Sequence, residues 1–133
     1  MSPSDAAWRQ LISTLHGSGR KAALAITGGG SGAVGELLRV PGGSRLLIEA
    51  QVPYDEQALA TFLGFAPAQA SSADTAIAMA RSARARAARL VPADTNLVGL
   101  GATAALVSDR PRKGEHRFHI ACANAAGLAH SPA

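Results

Sequence analysis

Residues 21–27 (KAALAIT) form an apolar run of strand length that stops abruptly on Gly28-Gly29-Gly30, before Ser31-Gly32 opens the segment AVGELLRV. In that segment Val34, Leu37 and Leu38 recur at helical spacing. A strand, a glycine turn and a helix in immediate succession are the opening of an α/β unit. No other stretch narrows the choice of fold as much.

The flanking sequence extends the same pattern. Ser4 is an N-cap candidate for an amphipathic helix over Asp5 to His16, with Trp8, Leu11, Ile12 and Leu15 at helical spacing and Gly17 as its stop. Pro41-Gly42-Gly43 ends the second helix, and residues 45–51 (RLLIEAQ) read as a strand whose apolar run predicts burial on both faces. Asp55 can cap a helix running through Phe62 and Leu63 to Gly64. Ser71 or Ser72 can cap a long helix to Leu90, with Ala76, Ala80, Ala83, Ala87 and Leu90 as its buried stripe. NLVGLGATAALVS is a strand holding Gly99 and Gly101, the mark of a bulge or of something lying close to the backbone. After the charged loop at residues 109–116, RFHIACA alternates Phe118, Ile120 and Cys122 with His119 and Ala121.

These elements predict one domain over residues 1–133, a three-layer α/β/α sandwich on a mixed, partly parallel sheet. Its last two strands form a hairpin across the charged loop, and residues 124–133 are a frayed tail. Composition agrees with tight helix-on-sheet packing: 47% of residues are apolar but only 4% are aromatic, so small side chains must make the core. Cys122 is the only cysteine, which excludes an internal disulfide and a multi-cysteine zinc site and suits a reducing compartment. No apolar stretch reaches membrane-spanning length and the N-terminus lacks a signal-peptide pattern, so the expectation is a soluble, cytoplasmic chain with no membrane partner. The net charge of +4 invites a nucleic-acid reading. Four of the basic residues, Arg81, Arg84, Arg86 and Arg89, spread over more than half the circumference of one helix, and few aromatics are present for stacking, so nucleic acid ranks last among the partners.

Three groups of residues could carry chemistry. Gly28, Gly29, Gly30 and Ser31 lead into a helix N-terminus, where unpaired N–H groups and the dipole favour an anion; a tight turn needing positive φ would read the same way. Arg110 and Lys113 lie in a mixed-charge loop that suits a phosphate or simply faces solvent. Ser44 and Tyr54, the only tyrosine, stand about ten residues apart across a strand, roughly 20 Å if the chain is straight, with no base in sequence near Ser44. The four histidines show no metal-ligand spacing, and no metal or cofactor is expected.

The segments AITGGGSGAVGELLRVPGGS, VPYDEQALATFLGF, SSADTAIAMARSARARA and LVGLGATAAL resemble, in order and spacing, the successive blocks of the CinA C-terminal domain family over about residues 21–123. That family includes the nicotinamide-nucleotide amidases, which hydrolyse the amide of nicotinamide mononucleotide. The resemblance implies a serine nucleophile at Ser44 and a tyrosine partner at Tyr54, matched in type and spacing. The family's lysine, five residues further on, is replaced by Leu59. It implies a phosphorylated ligand near Thr27, Gly28, Gly29, Gly30 and Ser31, near Thr103 in the segment standing where the family has Gly-Ile-Ala-Gly-Pro, and near Arg110 and Lys113. It also implies homo-oligomers. The expected function is binding of a pyridine nucleotide or a related phosphorylated small molecule, either with amidohydrolase activity or as a catalytically inactive regulatory module.

Overall fold

The computed structural model describes residues 5–105 and 117–132. Its elements are α1 (Asp5–His16), β1 (Lys21–Gly28), α2 (Gly32–Arg39), a 3-10 turn (Gly43–Arg45), β2 (Leu47–Gln51), α3 (Glu56–Leu63), α4 (Ala73–Ala87), β3 (Leu97–Ala105), β4 (Arg117–Asn124) and β5 (Gly127–Pro132). The strands form one sheet in the order β2-β1-β3-β4-β5. β1 pairs in parallel with β2 and β3, while β4 runs antiparallel to β3 and to β5. The expected α/β architecture on a mixed, partly parallel sheet is therefore the one observed.

Alternation along the strands divides the core. On one face Ala23 and Ala25 meet Leu59 of α3 and Met79, Ala83 and Ala87 of α4, and Ala76 and Ala80 meet Ala121 and Ala123. Glycine makes this closeness available: a Cβ on Gly101 would stand 2.3 Å from Ala76 O, and one on Gly99 would stand 2.2 Å from Ala80 O. Of the two sequence readings for these glycines, close backbone approach is the correct one.

On the opposite face Ala22, Leu24, Ile26 and Leu46 pack with Val34 and Leu37 of α2. His16, buried at the end of α1, joins the two helices: its Nε2–H donates to Leu37 O at 2.8 Å, and Nδ1 lies 3.3 Å from Pro41 O.

Local capping explains where the helices begin. The Asp55 carboxylate accepts the N–H groups of Gln57 and Ala58, and Gly64, at φ +87°, ends α3. Of the two serines before α4, Ser72 is the cap, accepting the Thr75 N–H at 3.1 Å.

Three expectations need correction. β2 begins at Leu47, because Ser44 and Arg45 belong to the 3-10 turn; it is an edge strand, half-buried, with Ile48 packing on the α4 side of the sheet and Leu47 and Ala50 on the α2 side. Its one strand neighbour is β1. α4 ends at Ala87, leaving Leu90 57% exposed. On β4, where the alternation alone left both faces open, the buried positions are Ala121 and Ala123, whereas Phe118 and Ile120 are exposed. Where a frayed tail was expected from residue 124 on, residues 127–132 form β5. The Asn124 carboxamide accepts the N–H groups of Ala126 and Gly127, and Gly127, at φ +150°, lets the chain reverse. The turn N-A-A-G has an Asx bond as its signature, and the alanines in it hid the hairpin.

Candidate functional site

From β1 the chain crosses through α2 to β2 on one side, and α4 returns it to β3 on the other side. The carboxyl ends of β1 and β3 are thus the switch point of the sheet, the place where α/β folds leave a crevice for ligands. α2 starts at this end. α4 starts there too, because Gly99 lies under Ala80 and Arg84, Gly101 lies under Ala76 and Ala80, and residues further along β3 therefore approach the first turn of α4.

The glycine turn is built from this geometry. Gly28 has φ +84° and Gly30 φ +104°. A Cβ on Gly28 would come within 2.0 Å of Ala104 O, so both conformation and space require glycine there. Gly30 and Ser31 are exposed, and Ser31 makes no side-chain capping bond.

Beside the turn, Thr27 pairs in register with Thr103, and Thr103 pairs with His119. Alternation with Ala25, Gly101 and Ala121 puts all three on the α4 face. Thr27 is 6% exposed and Thr103 1%. Thr103 Oγ1, His119 Nδ1 and Ser71 Oγ are buried without a hydrogen-bond partner. His119 and Ser71 were missed as candidates in the sequence, although the parity of His119 with Ala121 in RFHIACA points to the covered face.

Ser44 and Tyr54 lie at opposite ends of β2. Five strand residues separate the turn from the chain that leads to Tyr54, a span of about 17 Å, and the two side chains do not meet within one chain. Ser44 is exposed, and Lys21 Nζ donates to its carbonyl oxygen at 3.1 Å. Tyr54 is 72% exposed. Since Lys21 starts β1 and Gly28 ends it, Ser44 and the glycine turn stand at opposite ends of the sheet. Leu59, at the position of the family lysine, is 3% exposed and belongs to the core beneath α3. Arg110 and Lys113 fall outside the described residues. Ala105 and Arg117, which flank that segment, are paired to each other at the switch-point end of β3.

Two hollows adjoin these elements. An apolar cleft of about 460 Å³ lies between α1, α2 and the sheet, lined by Trp8, Leu11, Leu15, Phe118 and Ile120, and it reaches Gly29, Gly30 and Thr103. A more polar groove of about 820 Å³ between α3 and α4 carries Gln51, Gln57, Thr61, Ser82, Arg86 and Arg89. Arg86 in that groove is paired with Glu49 at 2.7 Å. Among the described residues no group of histidine, cysteine and acidic side chains could hold a metal, and no helix is long and apolar enough to cross a membrane.

No protein-family model matches the sequence, and no curated protein matches it. Solved structures do. The competence/damage inducible protein CihA from Agrobacterium tumefaciens superposes with a TM-score of 0.71 at 21% identity, over 99% of this chain and 82% of that one. The competence-damaged protein (CinA) superfamily protein from Enterobacter cloacae gives 0.73 at 17% identity, over 100% and 79%. Its counterpart ECK1530/EC0983 from Escherichia coli gives 0.70 at 17% identity, over 100% and 80%. The fold of this chain, over nearly its whole length, is that of the CinA superfamily structures.

Proposed function

We propose, from the premise of this shared fold, that the chain binds a pyridine nucleotide or a related phosphorylated small molecule at the carboxyl ends of β1 and β3. One observation carries the reading: the positive-φ turn of Gly28 and Gly30 opens α2 directly beside the buried Thr27–Thr103 pair at the switch point. Helix N-termini attract phosphate through their free N–H groups and dipole. The apolar cleft beside Gly29 and Gly30 can take the rest of a small ligand. In this reading the chain is a binding or regulatory module.

Thermal denaturation with nicotinamide mononucleotide, nicotinic acid mononucleotide and their dinucleotides tests the proposal. A ligand selective for the folded state stabilises it by about 2.7 kcal/mol at a hundred times Kd. A rise in Tm with at least one of these compounds is the expected outcome, and none with any of them at millimolar concentration refutes it.

Amidohydrolysis is the second reading, favoured by Lys21, whose amine reaches over the Ser44 turn. A serine needs a group to accept its proton; Lys21 is a candidate at that turn, and Leu59 cannot serve. Tyr54 would then come from another copy of the chain, because β2 holds the two residues apart. Ammonia release from nicotinamide mononucleotide, abolished by Ser44→Ala and lowered about 10²–10⁴-fold by Lys21→Met, is the expected signature. Equal turnover in Ser44→Ala and the parent protein removes this reading and leaves the binding proposal intact.

A further inference from the structure

We infer that Ser71, Thr103 and His119 form an inner polar seat for one oxyanion, the phosphate of the ligand proposed above; the inference rests on that reading. Among the described residues these three side chains have a buried polar atom without a partner, on a buried residue at Thr103 and on half-buried ones at Ser71 and His119. Thr103 and His119 are register neighbours on β3 and β4. Ser71 immediately precedes the cap of α4, whose first turn lies beyond the Gly101 contact with Ala76.

A buried polar atom without a partner is rare in folded proteins, and each one carries a free-energy cost comparable with a lost hydrogen bond. Two of them on neighbouring strands and a third next to the cap of α4 are accounted for by a group that supplies the missing partners. α4 is 15 residues long, so the positive end of its dipole adds to the attraction. Thr103, 1% exposed, is the unpartnered side chain beneath that end.

The chemistry selects an anion. Two hydroxyls and an imidazole nitrogen can all donate to oxygen, and none of the three residues is a carboxylate of the kind a hard cation requires. The acid of the α4 first turn, Asp74, is exposed. Neither His119 nor Ser71 belongs to the glycine turn, so the seat enlarges the site from one helix N-terminus to two.

Calorimetric titration of the full chain with nicotinamide mononucleotide, nicotinamide riboside and inorganic phosphate tests this. Thr103→Val and His119→Leu are expected to weaken the mononucleotide about tenfold or more, the worth of a hydrogen bond to a charged group, and to leave the riboside unchanged. His119→Asn, whose carboxamide can stand where Nδ1 does, is expected to recover part of the loss. Without ligand Thr103→Val should melt at or above the parent temperature, because it removes an unpaired hydroxyl while keeping the shape.

Unchanged mononucleotide binding in both variants refutes the seat while the nucleotide reading stands. Equal affinity of the parent protein for mononucleotide and riboside refutes the phosphate assignment. Absence of binding by the parent protein to all three probes overturns the nucleotide reading itself. A Thr103→Val variant that melts well below the parent without ligand shows the hydroxyl already satisfied by a buried water, and also refutes the seat.

Discussion

Replacing Gly101 with alanine should lift α4 off the sheet. The added Cβ would stand 2.3 Å from Ala76 O, 2.5 Å from Ala80 N and 2.9 Å from Met79 Cβ, and two of these are helix backbone atoms that no rotamer change can move. Restoring ordinary contact at 3.4 Å requires α4 to retreat by about 1 Å. Ala76, Met79, Ala80, Ala83 and Ala87, each at most 2% exposed, would all lose contact together. Overpacking costs about 1–3 kcal/mol, and the stiffer unfolded chain of an alanine variant returns roughly 0.4–1 kcal/mol. With two backbone collisions the upper part of the range applies, about 2 kcal/mol net. At this chain length that lowers Tm by roughly 6–10 °C. Gly35→Ala is the matched control: the same methyl enters open space in the middle of α2, where alanine is better than glycine by about 0.5–1 kcal/mol. Melting of both variants by circular dichroism should therefore give shifts of opposite sign. A Gly101→Ala protein within a degree or two of the parent, or a Gly35→Ala protein destabilised as much, would refute the account of α4 seated on β3 backbone.

Gly28→Ala combines a strained φ of +84° with a 2.0 Å approach to Ala104 O, and should cost about 3 kcal/mol or more and erase the ligand-induced rise in Tm. Asp55→Ala removes the acceptor for the Gln57 and Ala58 N–H groups and should lower stability by about 1 kcal/mol in urea denaturation. The Glu36 carboxyl is held below its usual range, first by the hydrogen bond from Arg39 and then by the Trp8 indole N–H. Its contribution to stability is therefore present above the ordinary carboxylate value of 4.5 and is lost as pH falls toward the lower folded value. Emission from Trp8, the only tryptophan, should change as pH drops below that value, and Glu36→Gln should abolish the change; an identical titration in the variant counts against the pairing.

The legible part of this fold was periodic or punctuated. KAALAIT with its glycines, the Asp55 and Ser72 caps, and the parallel-then-antiparallel order of strands all follow from local patterns, and they sit where those patterns put them. What escaped depends on tertiary position. An apolar strand such as β2 looks the same at the edge of a sheet as at its centre, because sequence records side chains and not the number of neighbours. β5 was hidden because its turn is closed by one Asn124 carboxamide instead of a recognisable two-residue hairpin signal. In the site, Thr27, the glycines and Thr103 were named from sequence, and the structure places them together. His119 was set aside when metal spacing failed, since only cross-strand register brings it beside Thr103. The ten-residue spacing of Ser44 and Tyr54 was legible as a match of types, but β2 separates the two within one chain.

The contact of Ala76 and Ala80 with Gly99, Gly101, Ala121 and Ala123 is a ceiling on volume. Such a constraint forbids large residues without asking for any particular small one, and it leaves the solvent-facing positions of α4 free to drift. A lineage built on this seam can exchange most of its letters and keep its shape. Saturation mutagenesis should reveal it as a row of positions that accept glycine, alanine or serine and little else, crossing α4, β3 and β4 like a crease in the fold.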